Sequence, residues 1–136
     1  MSDAVRLTIP GRVVAGNRQL RFALVGGHVR AYRTAEYRDY AEQVAWLARA
    51  AMAGREPLDG LLAVTLTLIA PHRGSLPDAD AVPKAGLDAL QGVVFGNDRQ
   101  VDDLHVLRRI VPGEVHRLDV EVRRMGPGRL GMGVRP

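Results

Sequence analysis

Val5, Leu7 and Ile9 alternate with Arg6 and Thr8, the two-residue period of a strand with one buried face, and Pro10 stops the run. Leu20, Phe22 and Leu24 alternate again with Arg21 and Ala23 and lead into Gly26-Gly27. A Gly-Gly pair at that point predicts a tight hairpin returning through His28 to Tyr32. From Thr34 the period lengthens. Tyr37, Tyr40, Ala41, Val44, Leu47, Ala48 and Ala51 recur at helical spacing, with Arg38, Asp39, Glu42 and Arg49 on other faces. Thr34 suits the N-cap, Glu36 the first turn and Gly54 the far end. The aromatics Tyr37, Tyr40 and Trp46 suit either the core or stacking on bases, and their helical spacing favours the core.

Leu62, Val64, Leu66 and Leu68 alternate with Ala63, Thr65, Thr67 and Ile69, predicting a strand that ends at Pro71. A loop from His72 to Pro77 carries Arg73 and Gly74. Pro83 reads as the first turn of a short helix, where its fixed φ and missing N–H are tolerated. Leu87 and Leu90 give that helix an apolar face, and Gly92 ends it. After a Gly-Asn turn, Leu104, Val106 and Ile110 mark another strand, and Pro112-Gly113 turns the chain into a last one through Leu118, Val120 and Val122. On that last strand Asp119, Glu121 and Arg123 face away. Residues 126–136 contain four glycines and two prolines, a composition expected of a flexible tail. The expectation is an α+β fold: one domain over residues 1–125, with two helices packed on a mixed or mainly antiparallel sheet, followed by the tail at 126–136.

Composition narrows the function classes. A chain of 136 residues fits one domain with a real core. The absence of cysteine excludes a disulfide framework, a thiol nucleophile and a cysteine zinc site. The apolar run from Gly60 to Pro71 is too short and threonine-rich to span a bilayer, and residues 1–10 lack the apolar core of a signal peptide. A soluble, cytoplasmic protein with no membrane association is therefore expected. The 19 basic and 15 acidic side chains leave a net charge of +4, and eighteen of the basic residues are arginine, Lys84 being the single lysine. Charge is unevenly spread: residues 78–103 sum to −4 and the rest of the chain to +8. Acid inside a basic shell suits a protein that holds a metal beside a polyanion, although scattered surface charge gives the same sums.

The acids themselves carry the candidate chemistry. Asp78 and Asp80 sit at the mouth of the second helix, and Asp98 follows it. Two carboxylates at i and i+2 on an extended segment share a side, and Asp98 can join them if the helix folds back. Three such groups supply the hard oxygen ligands that magnesium prefers and leave room for water and a phosphate oxygen. One ion, or a pair of ions, so held suits phosphodiester hydrolysis. Lys84 lies about one helical turn beyond Asp80 and can bring a compact positive charge to the same place. The competing reading is that the aspartates cap a helix and Lys84 is a solvated charge. His72 lies in the loop nearby, His105 and His116 have no partner at ligand spacing, and Ser75 has no base to activate it.

The stretch from Asp78 to Lys84, together with Gly86 to Val101, resembles the signature of the RusA family of Holliday junction resolvases. In effect that signature reads D-x-D-N-x-x-K, then D-A-L-x-G, then D-D-x-Q-V, with the order and both gaps matching over some 25 residues. Weaker similarity extends to the opening strand, the Asn17-Arg18 pair, the Tyr-rich helix and the closing strand. The resemblance implies a homodimeric, magnesium-dependent endodeoxyribonuclease, with manganese as a possible substitute, that resolves four-way DNA junctions by paired nicks in recombination and repair. It gives Asp78, Asp80 and Asp98 metal-binding catalytic positions and gives Lys84 the essential lysine. Two positions depart from the pattern. The asparagine after the second aspartate is Ala81, and the first acid of the D-D pair is Asn97, whose carbonyl oxygen is expected to keep metal binding intact. The basic run before the first aspartate is thinned to Arg73. Candidate phosphate contacts are Arg18, Arg21, Arg73 and Arg99. Ala81 and Asn97 keep open a less selective, phage-type structure-dependent nuclease. A non-catalytic junction binder and a basic domain of a protein assembly are the other readings.

Overall fold

The computed structural model describes residues 4–14, 20–33 and 35–125. Strand β1 (Ala4–Pro10) buries Val5 and Ile9 and exposes Arg6 and Thr8, as the alternation requires. Strands β2 (Leu20–Val25) and β3 (His28–Arg33) form a separate two-stranded antiparallel sheet. Gly26 and Gly27, at φ 57° and 82°, supply the two positive angles that this hairpin turn needs.

Helix α1 (Ala35–Met52) buries Tyr37, Tyr40, Val44, Ala48 and Met52, one stripe of three- and four-residue steps. Two residues with positive φ, Ala53 and Gly54, stop it. The proposed N-cap, Thr34, lies outside the described residues. Of the three aromatics, Tyr37 and Tyr40 turn inward while Trp46 is 67 % exposed.

Strand β4 (Leu62–Ala70) is central and buried along almost its whole length. Helix α2 (Val82–Leu90) carries Pro83 in its first turn, and Gly92 follows its end with a positive φ. Strands β5 (Val101–Ile110) and β6 (Arg117–Arg124) complete a four-stranded sheet in the order β1-β6-β4-β5. The β1–β6 and β6–β4 ladders are antiparallel, whereas β4 and β5 pair in parallel, so the sheet is mixed. Parallel neighbours need a crossover, and α2 supplies it. The result is a single α+β domain.

Both helices lie on one face of this sheet. Helix α1 packs on α2 and β1, and α2 packs on β4. Between them Leu62, Val64, Leu66 and Leu68 meet Val44, Ala48, Val82, Leu90, Leu118, Val120 and Val122 in one core. Phe95, fully buried, pins the segment after α2 into the same core. The opposite sheet face is polar, with Arg6 paired to Glu121 at 2.7 Å and Thr8 donating to Asp119 at 3.0 Å. Among the described residues no helix is long and apolar enough to cross a membrane. The expected tail at 126–136 lies outside the described residues.

Candidate active site

The acidic stretch begins where β4 leaves the sheet. After Pro71 a short 3₁₀ turn, Arg73–Ser75, is closed by the Ser75 hydroxyl and N–H, both donating to the His72 carbonyl. Arg108 of β5 then donates to the Pro77 carbonyl at 3.3 Å, fastening the chain one residue before Asp78. Asp78 itself is extended and exposed, but the next three residues, Ala79–Ala81, form a 3₁₀ turn. The expectation that Asp78 and Asp80 share a side through strand alternation is therefore corrected. Asp78 precedes a tight helical turn, Asp80 lies inside it, and an extended segment's two-residue period does not apply. The Asp80 side chain lies outside the described residues.

The capping alternative is not met at Asp78. Asp78 occupies the N-cap position of the 3₁₀ turn without a side-chain capping bond, and the N-cap of α2 is Ala81, whose methyl group offers none. The Asp78 carboxylate is not spent on a helix end. Ala81 is 7 % exposed, so its methyl group faces the core. The departure from the family asparagine leaves a small apolar group inside.

Lys84 and Asp98 come together. An open cleft of about 310 Å³ is lined by Pro83, Lys84, Leu87 and Asp88 of α2 and by Asp98 from beyond its end. The Lys84 ammonium stands 3.6 Å from the Asp88 carboxylate, one turn on, and the Tyr37 hydroxyl of α1 donates to the same carboxylate oxygen at 3.2 Å. Asp88 thus ties the lysine to both helices. Its i+4 spacing from Lys84 is the sequence signal that points to it.

Asp98 is held by its backbone. It opens a 3₁₀ turn, Asp98–Gln100, capped by Asn97, whose side-chain oxygen accepts the Arg99 N–H at 2.8 Å. Gln100 reaches back to complete a capping box, accepting the Asn97 N–H at 3.0 Å. The amide oxygen of Asn97 thus gives one of its two acceptor sites to the turn. An aspartate would make the same cap, which is why the exchange leaves the turn intact. Gln91 accepts the Asp98 N–H at 3.3 Å.

The candidate arginines scatter. Arg73 and Arg99 are exposed, the latter directly beside Asp98. Arg21 lies on β2 with its side chain outside the described residues, and Arg18 lies outside them altogether. Among the described residues, no three histidine, cysteine or carboxylate groups converge as a metal site; the carboxylate of Asp80 is not among them. A larger hollow of about 510 Å³ on the far sheet face is lined by Arg6, Thr8, Thr65, Thr67, Asp119 and Glu121. Arg6, Thr8, Asp119 and Glu121 already pair across strands, so nothing there is poised for chemistry.

Fold and cleft together define a single α+β domain built on a β–α–β crossover, with Lys84, Asp88 and Asp98 lining one open cleft. The family model described as Endodeoxyribonuclease RusA matches residues 10–123, and the chain belongs to that family. No curated protein matches it. The match runs from the last residue of β1 to the penultimate residue of β6, so it covers most of the chain rather than the acidic motif alone. Membership makes the chain one of a family of DNA-cutting nucleases.

Proposed function

We propose that the protein is a magnesium-dependent endonuclease that resolves four-way DNA junctions by paired hydrolytic nicks, acting as a homodimer in the cytoplasm. One observation carries the reading: Lys84 and Asp98, fourteen positions apart, meet across one open cleft in a chain of this nuclease family. The donor set fits the ion. Asp78 and Asp98 are exposed carboxylates, Asp80 adds a third acid in the same turn, and hard oxygen donors suit magnesium. Magnesium bound there would neutralise phosphate charge and lower the pKa of a water for attack.

The chain's own groups account for the rest. Asp78, Asp80 and Asp98 hold the ion. Lys84, kept in the cleft by Asp88, sets its ammonium beside the scissile phosphate or the leaving oxygen. Arg73 and Arg99, exposed on turns next to the acids, contact flanking phosphates, with Arg18 and Arg21 as further candidates. Two-fold pairing of subunits matches two identical sites to symmetry-related strands of a junction.

Cleavage of a mobile four-way junction, compared with flaps, forks and plain duplex, tests the proposal. Junction-selective, magnesium-dependent nicking that disappears in Asp98→Asn is expected, with junction affinity kept. Equal nicking of all substrates would replace it with a less selective nuclease. Junction binding without cleavage under any divalent ion would leave only a binder.

A further inference from the structure

Gln100, two residues beyond Asp98, makes four side-chain hydrogen bonds. Its amide nitrogen donates to the carbonyls of Leu58 and Gly60, each at 2.9 Å. Its amide oxygen accepts the N–H groups of Gly96 and Asn97, each at 3.0 Å. A primary amide has two donors and two acceptor sites, and this one uses all four. Glutamate lacks the donors, and lysine or arginine lacks the acceptor. Asparagine has the right groups on a shorter stem. The chemistry at this position thus calls for one residue type, and the four bonds join two segments some forty residues apart.

Those segments are the residues that lead into β4 and the turn that carries Asp98. Gln91 adds a further hold by accepting the Asp98 N–H. Asp98 is itself exposed and lines the open cleft, so the place of its carboxylate depends on how its turn is held. From this geometry we infer that Gln100 is the positioning residue of Asp98, with Gln91 as second anchor, and that it sets the carboxylate's place in the cleft for metal binding. The inference rests on the reading of Asp98 as a metal ligand. Groups that orient a ligand from behind commonly change metal affinity or activity by about 10- to 100-fold when removed.

The test uses the full-length protein without DNA and reads Mn²⁺ binding by electron paramagnetic resonance, alongside the thermal midpoint and junction affinity in EDTA. Gln100→Met keeps the length of the side chain and removes all four bonds. Its Mn²⁺ dissociation constant is expected to rise at least about 10-fold, while junction affinity in EDTA stays within about 2-fold of wild type. Gln100→Asn, with the amide kept but the reach shortened, should fall between the two. A merely structural role would lower the thermal midpoint and leave Mn²⁺ affinity of the folded protein unchanged, and that result overturns the inference. Should Gln100→Met not fold, Gln91→Met carries the test in its place. A weakened Mn²⁺ affinity there supports the inference and an unchanged one overturns it. Asp98→Asn separates the two levels. If it binds Mn²⁺ as wild type does, the metal-ligand reading fails and takes this inference with it. If Asp98→Asn loses the ion and Gln100→Met does not, only the positioning role is lost.

Discussion

Single side chains decide more than their burial suggests. The Tyr40 hydroxyl is buried with no hydrogen-bond partner among the described residues, and that burial pushes its ionisation far above the ordinary tyrosine range. A buried donor left unpaired costs stability, so Tyr40→Phe is expected to stabilise the protein by about 1 kcal/mol. Thermal unfolding checks this, and a lower midpoint would reveal a partner for the hydroxyl. Lys84 is the opposite case, an exposed group to which the proposed function gives a chemical role. Lys84→Arg keeps the charge but replaces a compact ammonium with a planar fork. A loss of at least about 10-fold in single-turnover cleavage, with junction affinity retained, is expected of a group that acts as a point charge. Full activity in that variant would return Lys84 to the solvated surface. The lysine was visible in the sequence as the lone exception among the basic residues. Its partner Asp88 was legible only as a spacing, and the Tyr37 bond to Asp88, across fifty-one positions, was not legible at all.

Among the elements, α2 shows where sequence reading succeeds and where it stops. Pro83, Leu87, Leu90 and Gly92 mark its start, face and end, and the structure agrees. Its pairing consequence was hidden. A crossover helix makes β4 and β5 parallel, but β5 is an edge strand with Leu104 and Leu107 partly exposed, so its alternation does not announce a partner or a direction. The turn before it was half legible: the spacing of Asn97 and Gln100 spells a capping box, whereas the carbonyls of Leu58 and Gly60 that Gln100 also binds lie far back in the chain. Helix α2 also contains a glycine that its packing does not demand. A Cβ on Gly86 would stand 3.7 Å from Leu66 and Leu118, ordinary contact distance, and its φ is not positive. Gly86→Ala is expected to raise stability by roughly 0.5–1 kcal/mol, the usual difference between these residues inside a helix. A drop in denaturation midpoint would mean that helix and sheet approach more closely than those distances allow.

For the molecule as a whole, the proposed function makes the division of charge the feature to test in DNA binding. The remainder outside residues 78–103 carries +8, and counterions released from DNA by arginine contacts make affinity fall steeply with salt. Arg73→Ala and Arg99→Ala are each expected to reduce the slope of log affinity against log salt by about 1, measured on a four-way junction. An unchanged slope removes that arginine from the interface. The fold class was readable from the alternation of strand and helix periods, since each period reflects which face is buried. The meeting of Lys84 and Asp98 in one cleft was not, because it depends on where the crossover returns the chain.

The Gln100 bonds to Leu58 and Gly60 give the stretch between α1 and β4 a second identity. It resembles an ordinary surface connection, the kind of place where lineages add and delete residues freely. Here its backbone serves as an abutment for a turn in a distant part of the chain. On the positioning role inferred for Gln100, changing its length by one residue would shift the turn that carries Asp98 while every acid and the lysine stayed in the sequence. Homologues that differ there would then drift in metal requirement or turnover with no change in their motif. This connection, outside the recognised signature, is where such drift should be sought.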